Sequence, residues 1–243
     1  MKAITISVAI VMLSLFTLMT ASAQNEKEFT GALLWKISGN GLDKPSYILG
    51  THHLIHVNFV DSIPGLRTAI DEAEQTVGEL LMDDMAGMQA KMQQAAMMPA
   101  GYSYKDMLSP EDYVALDNGL KEVVGAGLDN FGMLKPGMIS MVYTITTYTK
   151  LYPEYNPMGH EGIDAYVQRI AKENGKLVLG LETIDDQIYA IFDSAPLKEQ
   201  AEGLACAVKN SNTIKDQLDK LNFYYKTRNL LGMYNLAFNN PDD

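Results

Sequence analysis

The sequence predicts an α/β fold, and three observations carry that reading. Apolar runs of strand length recur at Leu33–Ser38, Ser46–Gly50, Thr76–Leu81 and Lys176–Leu181. Between them lie longer stretches whose apolar residues return at helical spacing. Each change of pattern is marked by Gly, Pro, Asn or Asp, the residues that turn a chain. Strands that alternate with helices in this way build a sheet covered by helices.

The first two runs are separated by Gly39-Asn40-Gly41 and Asp43-Lys44-Pro45, so they form an opening hairpin. Ile63, Leu66, Ile70 and Ala73 make a helical stripe, and Thr76–Leu81 is short enough to be a buried strand. From about Asp84 to Tyr152 the chain reads as a mostly helical insertion. Its first helix, Asp84–Met98, carries Met85, Met88, Met92, Met97 and Met98. Soft thioether metal sites need His or Cys beside the methionines, which are lacking here, so these residues read as fillers of an irregular core. Ser109-Pro110-Glu111-Asp112 is a helix start, with Ser as cap, Pro at the first helical position and acids at the positive end of the helix dipole. That helix runs to about Val124, and Lys135-Pro136 opens another that ends before Pro153.

The second half returns to the α/β theme. Ile163, Val167, Ile170 and Ala171 form a stripe ended by Asn174-Gly175, and a buried strand follows over Lys176–Leu181. Helices are expected over Ile184–Phe192, over Pro196–Lys209 and from Thr213 to about Leu236. Cys206, the one cysteine of the chain, falls in the apolar run Leu204–Val208 and reads as a small buried residue, not a nucleophile.

Ahead of this domain stands a leader. Lys2 precedes an almost unbroken apolar stretch from Ala3 to Met19, and Ala21-Ser22-Ala23 then offers small residues at the -3 and -1 positions of a cut. Residues 1–23 therefore read as a signal peptide, leaving residues 24–243 as one exported domain with no membrane anchor after cleavage. The whole chain carries a formal charge of -11, and removing Lys2 with the leader makes it -12. Nucleic acid and anionic lipid are poor partners for such a chain, because both need clustered Lys and Arg.

All four histidines lie in two windows, Gly50-Thr51-His52-His53-Leu54-Ile55-His56 and Gly159-His160-Glu161-Gly162. The first window leaves a strand, and ligands of α/β sheets sit outside the carboxyl ends of the strands. Glu79 and Glu182 end two further strands, so a parallel sheet would bring His53, Glu79 and Glu182 to one rim. Imidazole beside carboxylate suits a divalent metal with an acidified water, the spare carboxylate acting as general base. It equally suits a structural network. His52 and His53 are the candidate metal ligands and Glu79 the candidate catalytic acid or base. Consecutive strand residues point to opposite faces, so one of the two histidines faces the site more easily. His56 reads as a loop residue and His160 as a helix-entry residue.

These same residues carry a resemblance. Leu33-Leu-Trp-Lys-Ile37, Ser46-Tyr-Ile-Leu-Gly-Thr-His-His-Leu54 and Val77-Gly-Glu79, followed by Gly162-Ile-Asp164, Gly175-Lys176 and Gly180-Leu-Glu-Thr183 with Gln187, resemble the TraB/GumN family, which is related to the Tiki metalloproteases. The resemblance implies an α/β fold of the erythromycin esterase, ChaN-like and Tiki type, with a central mixed sheet. It also implies a metal-dependent peptidase acting on a peptide or protein substrate in the periplasm, in preference to the extracellular medium. The family's Gly-x-x-His falls on Gly50 and His53, which makes His53 the implied ligand of a divalent metal ion and Glu79 the matching acid. One departure stands out: the family pattern has a second Gly-x-x-His late in the chain, and here no histidine follows His160. Two other readings share the resemblance. One is a non-catalytic envelope protein binding a peptide or a haem-like ligand through His53 or a nearby Tyr. The other is a shortened, degenerate member of the family.

Export is checked by N-terminal sequencing of the protein recovered from the periplasmic fraction of a bacterial host. The expected first residue is Gln24; a chain that begins at Met1 would mean that the leader is retained.

Overall fold

The computed structural model describes residues 31–155 and 161–239. The signal peptide expected at residues 1–23, and His160, lie outside the described residues. The chain divides into two compact units, Leu33–Asn222 and the remainder, and each is taken by itself.

The larger unit opens with the expected hairpin, β1 (Leu34–Ile37) against β2 (Ser46–Leu49) in antiparallel register, with Leu34 opposite Leu49. Gly39, Asn40 and Gly41 all take positive φ in the connection, a conformation open to Gly and Asn and costly for most other residues. A short 3-10 turn, Val57–Ser62, leads to α1 (Leu66–Glu72), which buries Leu66, Ala69 and Ile70. Then come β3 (Gln75–Leu80), α2 (Met85–Ala95), α3 (Tyr104–Met107), α4 (Pro110–Val123), α5 (Leu128–Phe131), α6 (Pro136–Leu151), α7 (Ile163–Glu173), β4 (Leu177–Glu182), α8 (Ile184–Ile188) and α9 (Leu197–Lys209). The helix starts follow the sequence signals. Ser109 accepts from the Asp112 N–H with Pro110 next to it, and Asn174-Gly175 ends α7 with Gly175 at φ 68°.

β3 and β4 pair in parallel, with Gly78 opposite Gly180. Among the described residues the strands therefore form two separate two-stranded sheets, β1–β2 and β3–β4, where a single central mixed sheet was expected. The strands of the parallel pair are also less buried than their apolar sequences predict: Val77, Leu177, Leu179 and Leu181 are all exposed. With two strands and helical cover incomplete, these side chains have no facing layer.

The main apolar core lies in the helical part instead. Tyr104, Leu116, Leu120, Ile139, Tyr143 and Leu204 belong to one buried cluster, so the insertion shares its core with α9 from the second half. α9 buries Ala201, Leu204, Ala205 and Val208, an i, i+3, i+4, i+7 stripe. Cys206 falls off that stripe and is exposed, contrary to the burial its apolar neighbours suggest. Of the methionines expected to fill the core, Met85, Met88 and Met92 lie on α2, which buries none of its residues, while Met98 just after it packs partly buried against the main cluster.

What fixes β3 is a buried glutamine. Gln168 of α7 donates from Nε2 to the Leu80 carbonyl at 2.8 Å and accepts the Met82 N–H at 3.0 Å, satisfying the backbone where the strand ends. Its amide fits because residue 78 is glycine: a Cβ there would lie 2.3 Å from Gln168 Nε2.

In the smaller unit, α11 (Leu230–Phe238) is capped by Asn229, which accepts from the Gly232 N–H at 2.8 Å. The single helix expected from Thr213 to Leu236 is broken at Arg228, whose φ of 62° ends α10 (Ile214–Thr227). Nothing in the local sequence but Asn229 announces that break. No helix among the described residues is long and apolar enough to cross a membrane.

Replacing Gln168 with Ala should cost about 1–3 kcal/mol in a urea unfolding experiment, because it strips partners from two backbone groups at the end of β3. A loss below about 0.5 kcal/mol would mean that water replaces the amide there.

Candidate functional site

The rim begins where β2 ends. Gly50 closes the hairpin with an N–H to the Leu33 carbonyl at 2.8 Å, and the chain then runs through Thr51 to His53. His56 bridges to Gly162, bringing this loop to the start of α7. Asp164 sits in the first turn of that helix, where a negative side chain is favoured by the helix dipole. The two segments meet side chain to side chain. His53 Nδ1 lies 2.9 Å from Asp164 Oδ2, and the Thr51 hydroxyl donates to Asp164 Oδ1.

The other face of the same imidazole meets β3. His53 Nε2 is 3.9 Å from Glu79 Oε2. Glu182, at the end of β4, is reached through Gln187, whose Nε2 donates to Glu182 Oε2 at 2.5 Å and reaches Glu79 Oε1 at 3.4 Å. Gln187 is positioned by the start of α8, where Thr183 and Asp186 form a reciprocal capping box. Asp164, His53, Glu79, Gln187 and Glu182 thus form one chain of polar contacts across four segments of the fold.

The electrostatics follow from this geometry. The hydrogen bond to Asp164 raises the His53 pKa above the 6.5 of an unperturbed imidazole, against the opposing effect of burial. Burial pushes the Asp164 carboxyl up, but the bonds from His53 and Thr51 outweigh it and leave its pKa below the ordinary value. The Asp164 side chain is 23% exposed and His53 70%, so the pair is anchored on the carboxylate side and open to solvent on the imidazole side. Glu79 is also exposed, which corrects the expectation of a buried carboxylate on an apolar strand: on β3 it shares the outward face with Gln75 and Val77.

The other histidines do different work. His52 Nδ1 accepts the Leu54 N–H at 3.1 Å and its ring lies 6.3 Å from that of Tyr148, so it faces the helical core and not Glu79. This is the opposite-face placement expected of neighbours on an extended segment. His52, a candidate ligand in the sequence, is thus not among the side chains that meet at Asp164, His53 and Glu79. His56 caps the 3-10 turn, its Nδ1 accepting from the Asn58 N–H at 2.9 Å.

An Nδ1–H held by a carboxylate leaves the Nε2 lone pair available to a metal or a proton, and here Nε2 points toward a second carboxylate. Among the described residues, however, no group of three or more His, Cys, Asp or Glu side chains stands close enough to hold a metal ion. The chain offers two donors in line, His53 Nε2 and Glu79, which fit part of a divalent site. Sequence reasoning placed His53, Glu79 and Glu182 at this rim but missed Asp164 as the partner of His53. An acid in the first turn of a helix is common, and nothing local shows that its bonding partner lies 111 residues earlier.

A family profile described as the TraB/PrgY/gumN family matches residues 33–242. A protein named metalloprotease TIKI1, from Danio rerio, is 32% identical over 93 residues, 38% of this chain and 18% of that protein. The chain thus spans less than a fifth of the length of this relative. No solved structure matches significantly.

By NMR, the His53 ring should titrate above 6.5, and Asp164→Asn should bring it down. The sign of the stability effect follows from the raised histidine pKa and the lowered aspartate pKa. The pair stabilises the fold fully between about pH 3.8 and about pH 6.5, and its contribution is lost as pH rises through the raised His53 pKa or falls through the lowered Asp164 pKa. The difference in unfolding midpoint between wild type and Asp164→Asn is therefore expected to shrink between pH 6 and 9. A difference independent of pH would assign the effect of Asp164 to Thr51 alone.

Proposed function

This chain belongs to the TraB/PrgY/gumN family, and from that premise we propose that it is an exported hydrolase acting on peptides, with its reacting centre at His53 and Glu79. The observation that carries the reading is the alignment Asp164, His53, Glu79: one carboxylate grips Nδ1 while a second, exposed carboxylate faces Nε2. The partial similarity to a protein named a metalloprotease supports peptides as the substrate class.

The chain's own residues have distinct tasks in this reading. Asp164 fixes the tautomer and direction of the imidazole, so that Nε2 is the nitrogen presented to the reaction. Glu79, open to solvent, takes a proton from an attacking water. His53, with its raised pKa, hands a proton to the departing amine. Gln187 keeps Glu79 and Glu182 apart by bonding to both, which lowers the repulsion between two carboxylates on one rim. A divalent cation, when bound, supplies an acidified water and polarises the scissile carbonyl. His53 Nε2 and Glu79 would be this chain's donors to it in place of the proton roles above, since a lone pair given to the ion cannot also carry the proton, and no step above is routed through the ion.

Metal analysis and peptide digestion together test the reading. Wild-type protein is expected to cleave members of a peptide library, and any divalent metal it carries is expected to depend on His53 and Glu79. His53→Ala should lose the metal, and with Glu79→Gln should lose about 100-fold or more of the cleavage rate. Equal, negligible metal in wild type and His53→Ala would remove the cation from the proposal, and equal cleavage by all three proteins would sink the hydrolase.

A further inference from the structure

Beside the His53 rim, a cavity of about 450 Å³ lies where the carboxyl ends of β3 and β4 meet the first turns of α2 and α8. The carboxyl ends of parallel strands are where an α/β sheet leaves a crevice for a ligand. Glu182 is the wall shared with the reacting centre. It lines the cavity, and its carboxylate accepts from Gln187 Nε2 at 2.5 Å, the same amide nitrogen that reaches Glu79 at 3.4 Å. The cavity and Glu79 are therefore one side-chain amide apart. α2 closes a second side, tied to α8 by Lys91, whose Nζ donates to both oxygens of Asp185 at 3.0 and 2.9 Å.

Two kinds of chemistry line this space. Leu80, Leu81, Met88 and Ile184 give it apolar walls, and the unbranched thioether of Met88 adapts to the shape of what lies against it. Asp83, Asp84 and Glu182 add three carboxylates. Asp84 is engaged by its own helix, accepting the Gly87 N–H at 2.9 Å. Lys91, the cation of the lining, is neutralised by Asp185. Among the described residues no Lys or Arg pairs with Asp83 or Glu182, and the neutral amide of Gln187 leaves the Glu182 charge in place. An acidic occupant would be repelled by these two groups, and an apolar one would cover carboxylates without bonding them. A lysine or arginine side chain meets both demands, with its stem along the apolar walls and its head at the acids.

We propose that this cavity is a subsite that receives a lysine or arginine side chain of the substrate close to the bond being cleaved. Asp83 and Glu182 are its specificity-determining residues. That the basic side chain belongs to a substrate rests on the hydrolase reading above; that the cavity binds it does not.

The first arm of the test reads binding to the full chain in EDTA, with peptides blocked at both ends, so that neither metal chemistry nor a terminal ammonium contributes. A fluorescent heptapeptide of otherwise neutral residues carries lysine, arginine, acetyl-lysine, norleucine or glutamate at its centre. The lysine and arginine peptides should bind about fivefold or more tighter than the acetyl-lysine and norleucine peptides, as expected for one cation between two partly exposed carboxylates. Asp83→Asn and Glu182→Gln should each remove most of that preference. Glu199→Gln, the same change of net charge at an exposed position on α9, should leave it intact. The acetyl-lysine comparison needs no variant, so a substitution that fails to fold does not remove the test. In the second arm, wild-type cuts in a peptide library should fall at one fixed distance from lysine or arginine, and Asp83→Asn should relax that rule. Equal binding of the lysine and acetyl-lysine peptides, absence of binding by either, or a preference that survives both substitutions would each overturn the proposal. So would equal loss in Glu199→Gln, which would assign the preference to overall charge. Basic preference in EDTA with no cleavage of any peptide leaves the subsite standing and refutes the hydrolase, and cleavage without basic preference does the reverse.

Discussion

A carboxylate drawn out of water has to be bonded or it destabilises the fold, and Asp164 is where that constraint fastens this molecule. Both of its oxygens are engaged, one by Thr51 and one by His53, and both partners come from the loop that leaves the hairpin. The bond therefore does two things at once. It ties the N-terminal hairpin segment to α7, more than a hundred residues later, and it turns the His53 ring so that Nε2 faces β3. Without the carboxylate, His53 would be a solvated histidine on a loop.

The same helix carries the second fastening. Gln168 lies one turn beyond Asp164 on α7, and its amide holds the backbone at the end of β3 through bonds to Leu80 and Met82. Residues 164 and 168 are four apart and so share a face. α7 thereby sets the hairpin loop and β3 against a common ruler. The separation of His53 from Glu79 is fixed by two polar contacts from one rigid element, not by direct packing between the loop and the strand. Gly78 is the condition for this arrangement, because a side chain there would push against the glutamine.

The sequence made the elements and the rim legible, and the cross-connections much less so. Capping residues such as Ser109 and Asn174 act within a few positions, so they can be read locally, and the helices they bound appear as expected. His53, Glu79 and Glu182 could be gathered because each ends a strand, and strand ends of a parallel pair share a side. Asp164, Thr51 and Gln168 could not be gathered, since their partners lie 86 to 113 residues away. Burial was also misread in one consistent way. Val77, Leu179, Leu181 and Cys206 sit in apolar runs and were expected inside, yet they are exposed. Hydrophobicity says that a residue can be buried; what covers it depends on elements elsewhere in the chain.

That exposure bears on how the strands are arranged. A parallel pair is normally found inside a wider sheet covered on both faces, because each strand has two edges and two apolar faces to satisfy. Among the described residues β3 and β4 pair in parallel while β2 pairs only with β1, and Lys44 and Tyr47 tie the hairpin to the end of the helix before β3. The hairpin is fastened to the end of α1, and the loop after it and the end of β3 are fastened to α7. The loop after β2 thereby brings His53 between Asp164 and Glu79, the one place among the described residues where an imidazole stands between two carboxylates.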